Sequence, residues 1–269
     1  KYNYEINNVY YCPDNIIIDN FNVKRYDKSR YLIIDYFIID LSNKSIRLYD
    51  KKLSDSFCDV IKDINKIEID NIDSGKKITI LGDNNKSLEI ITDKDGKIIS
   101  LKMNKIYDIG DKFLSYNTSL QKFTAENLTE VGDWFLSCNN TLQELYLPNL
   151  TKVGNGFLCF NTSLQKFTAE NLTEVGSDFL YYNTSLQKFT AESLTEVGSY
   201  FLWCNNTLQE LYLPNLKIVG HDFLRRNKTL QKFTAENLIK VGDWFLNNNH
   251  KLRNKILSEI EKRNRKGRR

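Results

Sequence analysis

Histidine is nearly absent from this chain of 269 residues, which also has one methionine and three prolines. The two histidines, His221 and His250, stand where equivalent positions carry Asp, Ser or Asn, so each reads as a surface side chain, not a catalytic base or metal ligand. No G-x-S-x-G elbow, phosphate loop or zinc spacing is present, and no cofactor is expected. Cysteine is scarce and odd in number (Cys12, Cys58, Cys138, Cys159, Cys204), and its spacing suits neither a metal site nor a disulfide framework. Nothing approaches the ~20 uninterrupted apolar residues of a membrane span. The most apolar run, Tyr31 to Leu41, is broken by Asp35 and Asp40. No secretory signal is visible, and the chain opens on Lys1, which is compatible with a leader or further domain having been removed.

Charge is scarce in one sense too: the net excess is only +4, and its location matters more than its size. Residues 98–251 hold 14 Lys and Arg against 15 Asp and Glu, whereas residues 252–269 hold 8 against 2. A nucleic-acid reader needs a basic stripe along one face, and residues 98–251 have none. Nucleic acid is therefore not an expected partner. The tail Glu261–Arg269 reads as a solvated, disordered end, with contact to RNA, DNA or an acidic membrane as the alternative.

What is abundant is repetition. A 22-residue unit is written seven times, beginning at Ile98, Leu120, Leu142, Leu164, Leu186, Leu208 and Leu230. Periods of this length mark stacked coils, since one coil cannot bury its own apolar face. In the copy from Leu120, Phe123 and Ala125 alternate with Lys122 and Thr124, the period-two pattern of a short half-buried strand. Leu128 and Val131 follow, then Gly132, which predicts a tight corner requiring positive φ or close backbone approach. Phe135 and Leu136 turn inward again. Seven residues after each glycine comes an asparagine (Asn117, Asn139, Asn161, Asn183, Asn205, Asn227, Asn249), and a short amide at a turn predicts an internal hydrogen-bond ladder. Sequons such as Asn117-Thr-Ser follow from that ladder and are not read as glycosylation sites.

The units Leu142-Gln-Glu-Leu-Tyr-Leu-Pro-Asn-Leu-Thr-Lys-Val-Gly and Leu208-Gln-Glu-Leu-Tyr-Leu-Pro-Asn-Leu-Lys-Ile-Val-Gly resemble the leucine-rich repeats of the BspA type, found in many bacterial surface proteins and some protist ones. The resemblance covers residues 98–251 and implies a curved right-handed solenoid whose role is binding, at the cell surface or secreted. The chain departs from that pattern in carrying Phe-Leu where the family usually has Ala-Phe, and Asn where it often has Cys.

Residues 1–97 show no repeat and are expected to form an α+β cap over the first coil. Strands are expected in Tyr31–Asp40, Ser45–Tyr49, Ile67–Ile72, Ile78–Leu81 and Leu88–Thr92, with a helix capped by Ser54 or Asp55 carrying Phe57, Val60, Ile61 and Ile64. Asp93-Lys-Asp-Gly96 reads as a hairpin turn; the remaining ligands of a calcium loop are missing. At the far end Lys255 and Arg263 fall where inward apolar residues are required, so the coil pattern stops. Leu252, Ile256, Leu257 and Ile260 fit an amphipathic capping helix within residues 252–269.

Two surfaces emerge. The outer strand face presents Lys122, Glu144, Lys166, Lys188, Glu210 and Lys232 in one row, largely self-compensating, with Tyr146 and Tyr212 standing out among threonines in the next. The second surface is defined by variation: in each copy only the two residues after the glycine and the two before the asparagine change freely. Those positions hold Tyr116, Trp134, Phe160, Tyr181, Tyr182, Tyr200, Trp203, Arg225, Arg226 and Trp244, including all three tryptophans of the chain. Aromatics and arginine are interface anchors; the alternative is a set of unconstrained turn positions. The sequence thus describes a β-rich solenoid of seven coils, non-enzymatic, binding a protein or a glycan. The competing reading is an effector in which residues 1–97 act and the repeats target.

Overall fold

A computed structural model describes residues 17–19, 22–25, 31–34, 37–48, 61 and 63–266. It divides into two compact units, residues 1–106 and 107–269. In the first unit β1 (Ile17–Asp19) and β2 (Asn22–Arg25) form an antiparallel pair, and β3 (Tyr31–Ile34), β4 (Phe37–Asp40) and β5 (Ser45–Leu48) an antiparallel meander. The stretch Tyr31–Asp40 is thus two strands folded on each other, not one. Asp40 closes the β4–β5 turn by accepting the backbone N–H groups of Ser42 and Asn43, each at 3.0 Å. A second meander follows: β6 (Lys66–Ile72), β7 (Gly75–Leu81), β8 (Ser87–Thr92) and β9 (Ile98–Asn104). Its alternating apolar residues, Ile78, Ile80, Leu88, Ile90, Leu101 and Met103, are buried. Asp93 makes the β8–β9 turn by accepting from the N–H groups of Asp95 and Lys97. The expected helix start at Ser54 or Asp55, with Phe57 and Val60, and the cysteines Cys12 and Cys58 lie outside the described residues.

The second unit is a solenoid of six stacked coils closed by α1 (His250–Lys266). The seventh sequence copy, from Ile98, opens on β9 in the first unit. In chain order its strands are β10 (Asp108–Ile109), β11 (Lys122–Ala125), β12 (Glu130–Val131), β13 (Glu144–Tyr146), β14 (Lys152–Val153), β15 (Lys166–Thr168), β16 (Glu174–Val175), β17 (Lys188–Thr190), β18 (Glu196–Val197), β19 (Glu210–Tyr212), β20 (Ile218–Val219), β21 (Lys232–Thr234) and β22 (Lys240–Val241). The odd-numbered strands from β11 form the strand row and the even-numbered ones a corner row, both parallel and in register at a step of 22 residues. Neither row is continuous: the described residues show no pairing of β13 with β15, or of β16 with β18.

The core is a file of rings. Phe113, Phe135, Phe157, Phe179, Phe201, Phe223 and Phe245 are all buried and stack at centroid separations of 5.0–6.0 Å, with planes within 15° of parallel. Phe123, Phe167, Phe189 and Phe233 bury their rings from the strand row, and leucines fill the intervening coils. Each stacked pair adds about 0.5–1.5 kcal/mol beyond its buried area.

The corner glycines act through space and not through torsion. Gly132 has an ordinary φ, but a Cβ there would lie 2.2 Å from Asp111 Oδ1 and 2.8 Å from the backbone of Gly110 in the preceding coil. Gly176 is as tight, whereas a Cβ on Gly198 would meet nothing nearer than 3.2 Å. That looser corner lies where β16 and β18 fail to pair.

Helix α1 seals the last coil with Ile256 and Ile260 buried, and it runs through Lys266, so residues 261–266 are helical where a disordered end was expected. Arg263, which by sequence merely broke the repeat, donates from Nη1 to the carbonyls of Glu236 (2.6 Å), Leu238 (2.8 Å) and Ala235 (3.4 Å). These carbonyls have no further coil to pair with, so a charged donor on the cap satisfies them. Arg253 Nε does the same for Phe245 O at 3.1 Å. No helix among the described residues is long and apolar enough to cross a membrane.

Candidate functional site

Between each corner glycine and its asparagine the backbone does something the sequence does not announce. Three residues per coil adopt positive φ, spaced two apart: in one coil Trp134 (58°), Leu136 (49°) and Cys138 (58°), in another Tyr200, Leu202 and Cys204. For ordinary residues the left-handed region costs roughly 1–2 kcal/mol each. The compensation is a third ladder, the turn row, in which two amides of each coil reach forward and one reaches back. Trp134 N–H donates to Asn155 O (2.7 Å) and Cys138 N–H to Cys159 O (2.7 Å), while Leu136 N–H donates to Phe113 O (3.0 Å). The pattern repeats through every coil, without the interruption found in the strand and corner rows.

The asparagines lock this row from inside. Asn139, Asn161, Asn183, Asn205 and Asn227 are fully buried, and each Nδ2 donates to the carbonyl of the left-handed leucine one coil earlier, at 2.7–2.9 Å. The second Nδ2 hydrogen goes to the carbonyl two residues back in the same coil. The ladder anticipated from sequence therefore exists at five of the seven asparagines, which donate while their buried Oδ1 atoms accept nothing; Asn249, only half-buried, donates to Asn227 O and Leu230 O, and Asn117 accepts from the N–H groups of Ser119 and Leu120. Burial bars the five from modification.

Phe160, Tyr182, Arg226 and Trp244 occupy left-handed positions and Tyr181, Trp203 and Arg225 each precede one, and the turn row brings these seven side chains together. Tyr181 and Trp203 stack with centroids 4.7 Å apart and planes 2° from parallel. Tyr182 flanks both, Phe160 meets Tyr181 edge-on at 5.3 Å, and Arg226 caps the Trp203 ring at 5.0 Å. Arg225 lies 4.9 Å from the Trp244 ring and is anchored through Nη1 to the buried Asp222 at 2.7 Å. These seven residues form one strip across consecutive coils, with Phe160, Tyr182 and Trp244 well exposed.

The remaining expected residues stand apart from the strip. Tyr116 is two-thirds exposed and hydrogen-bonds the Cys138 thiol. Trp134 spreads over Gly156, where a Cβ would sit 2.4 Å from the indole, so Gly156, itself at φ +66°, is the space the ring needs. Tyr200 is exposed, and Tyr146 and Tyr212 are exposed on the strand row, on strands β13 and β19. On that row Lys122 pairs with Glu144 (2.6 Å) and Lys188 with Glu210 (3.5 Å), but register sets Lys166 beside Lys188, so compensation is partial.

Burial shapes the chemistry at the strip's inner side. The Cys159 thiol, donating to Asp178 O at 2.9 Å, is pushed up to about 12, chiefly by desolvation and then by Asp178. The Asp178 carboxyl is raised for the same first reason. A thiol so strongly protonated is a poor nucleophile. Among the described residues no group of His, Cys, Asp and Glu is arranged to hold a metal ion.

The comparisons with known proteins bear on this architecture as a whole. A leucine rich repeat protein of T. pallidum (TpLRR) is similar in structure, with TM-score 0.48 and 15% identity over 58% of this chain and 83% of its own. No curated protein matches. The BspA type leucine rich repeat model matches in six copies over residues 92–207 and 159–264, more than half the chain, and with the coil period, phenylalanine file and asparagine ladder described above this protein belongs to the BspA type leucine rich repeat family.

Proposed function

We propose that the protein is a non-enzymatic recognition module that captures a protein partner on the turn row, through the strip running from Phe160 to Trp244. Family membership supports a repeat-based interaction role. The observation carrying the finer reading is that residues variable in sequence and scattered along the chain, Phe160, Tyr181, Tyr182, Trp203, Arg225, Arg226 and Trp244, form one contiguous exposed strip of interface-anchor residues on an otherwise repetitive wall. Such side chains bury large area at low entropic cost and dominate binding energy where they cluster. A protein partner fits better than a glycan, because Tyr181 and Trp203 spend ring faces on each other and on Arg226, leaving no flat platform for a sugar ring.

The test is capture with the intact chain as bait against a Tyr182→Ala/Trp203→Ala bait. Both side chains are at the surface, so circular dichroism is expected to stay unchanged while the partner held by the parent, verified by reciprocal binding with the purified partner, is lost. Equal capture by both baits refutes the reading.

A further inference from the structure

Resting on that reading, we infer that the strip selects an acidic polypeptide segment, because its outward-facing polar groups are hydrogen-bond donors lacking acceptors within the protein. Stacking decides which part of each ring a partner meets. Trp203 has Tyr181 from the preceding coil against one face and Arg226 from the following coil against the other. Edges are what remain, and the edge of an aromatic ring carries the positive end of its quadrupole. The polar tips at those edges are the Tyr181 and Tyr182 hydroxyls and the indole N–H of Trp203, for none of which the described residues provide an acceptor.

The arginines point the same way. Arg225 commits Nη1 to Asp222 and keeps its guanidinium against the Trp244 ring at the end of the strip. Arg226 pairs with no carboxylate among the described residues and contributes a guanidinium stacked on indole, a preorganised fork for a carboxylate. Burial, with Asp178 alongside, pushes the Tyr181 pKa up and keeps its hydroxyl a donor. One feature opposes: the Asp178 carboxyl beside Tyr181 repels an incoming anion, an effect its burial reduces but does not remove.

The full chain would be titrated with short peptides alternating glutamate and glycine, with matched glutamine and lysine peptides, and with heparin as a sulfated glycan. Binding is expected for the glutamate peptide, weakening as salt rises, about tenfold weaker in Arg226→Gln and in Trp203→Ala, and tighter in Asp178→Asn. Preference for the glutamine or lysine peptide, tighter binding of heparin, or no binding by any probe overturns the inference. The two readings fail separately. If Tyr182→Ala/Trp203→Ala abolishes partner capture while Arg226→Gln and salt leave it intact, the surface stands and its selectivity for acid does not. If all variants capture normally, both fall.

Discussion

The strand row and the turn row are the two long sides of one coil, and they hold neighbours together by opposite means. Strand-row residues adopt ordinary extended torsions, so pairing there costs little to set up, and it lapses between β13 and β15. Turn-row residues adopt three unfavourable torsions per coil, yet that row runs unbroken because forward amides and a backward amide cross each step, and a buried asparagine crosses every step but the last. Between the copies that carry β13 and β15, Asn183 still donates to Leu158 O and Phe157 still stacks on Phe179. The difference teaches that continuity here resides in the turns and their core rings, and that β-pairing is supplementary.

Changes to the turn side should therefore dominate. Phe179→Ala removes a ring stacked on both sides and is expected to cost about 3–5 kcal/mol in denaturant unfolding; a loss under ~1 kcal/mol would show that the ring file does not carry the stack. Gly176→Ala forces a Cβ within 2.7 Å of neighbouring backbone, at about 1–3 kcal/mol, whereas Gly198→Ala at the relaxed corner should cost much less. Equal melting points for the two would refute close approach as the reason for glycine. Asn161→Ala strands the carbonyl of Leu136, while Cys159 O keeps the Cys138 N–H, and is expected to cost about 1–3 kcal/mol.

A pH scan separates the sides again. The Cys159 thiol sits above its unfolded value, so between that value and about 12 the unfolded chain loses the proton first and stability falls as pH rises. The slope is at most about 1.4 kcal/mol per unit, is absent below the unfolded pKa, and should vanish in Cys159→Ala. On the strand row, Lys122→Ala breaks an exposed ion pair and is expected to change stability by no more than about 0.5 kcal/mol. A strand-row effect as large as the asparagine effect would reverse the comparison.

The coil period, the phenylalanine file and the asparagine ladder were legible because each depends on one residue type recurring in phase. Phe135 does the same work in every copy and Asn139 in all but the first and last, so repetition alone exposes them. The triple left-handed path was not legible, because Trp134, Leu136 and Cys138 carry no propensity for it; hydrogen bonds from adjacent coils impose the torsions. Gly132 announced a constraint but not its kind, since close approach depends on where the preceding coil lies. Arg263 read as a break in pattern because its close partners, the carbonyls of Glu236 and Leu238, become orphans only in three dimensions. The variable positions were visible, but not that stacking would gather Tyr181, Trp203 and Arg226 while leaving Tyr146 and Tyr212 on another side.

Because the surrounding amides dictate φ at the variable sites, the identity of the occupant is nearly free: Lys112, Trp134, Asp178, Tyr200, Cys204 and Arg226 all accept the same torsion. Branching at Cβ is what that torsion tolerates least, and none of these left-handed sites holds valine, isoleucine or threonine. The wall therefore behaves as type set in a fixed forme, in which letters are exchanged without recasting the plate and three characters are missing from the case.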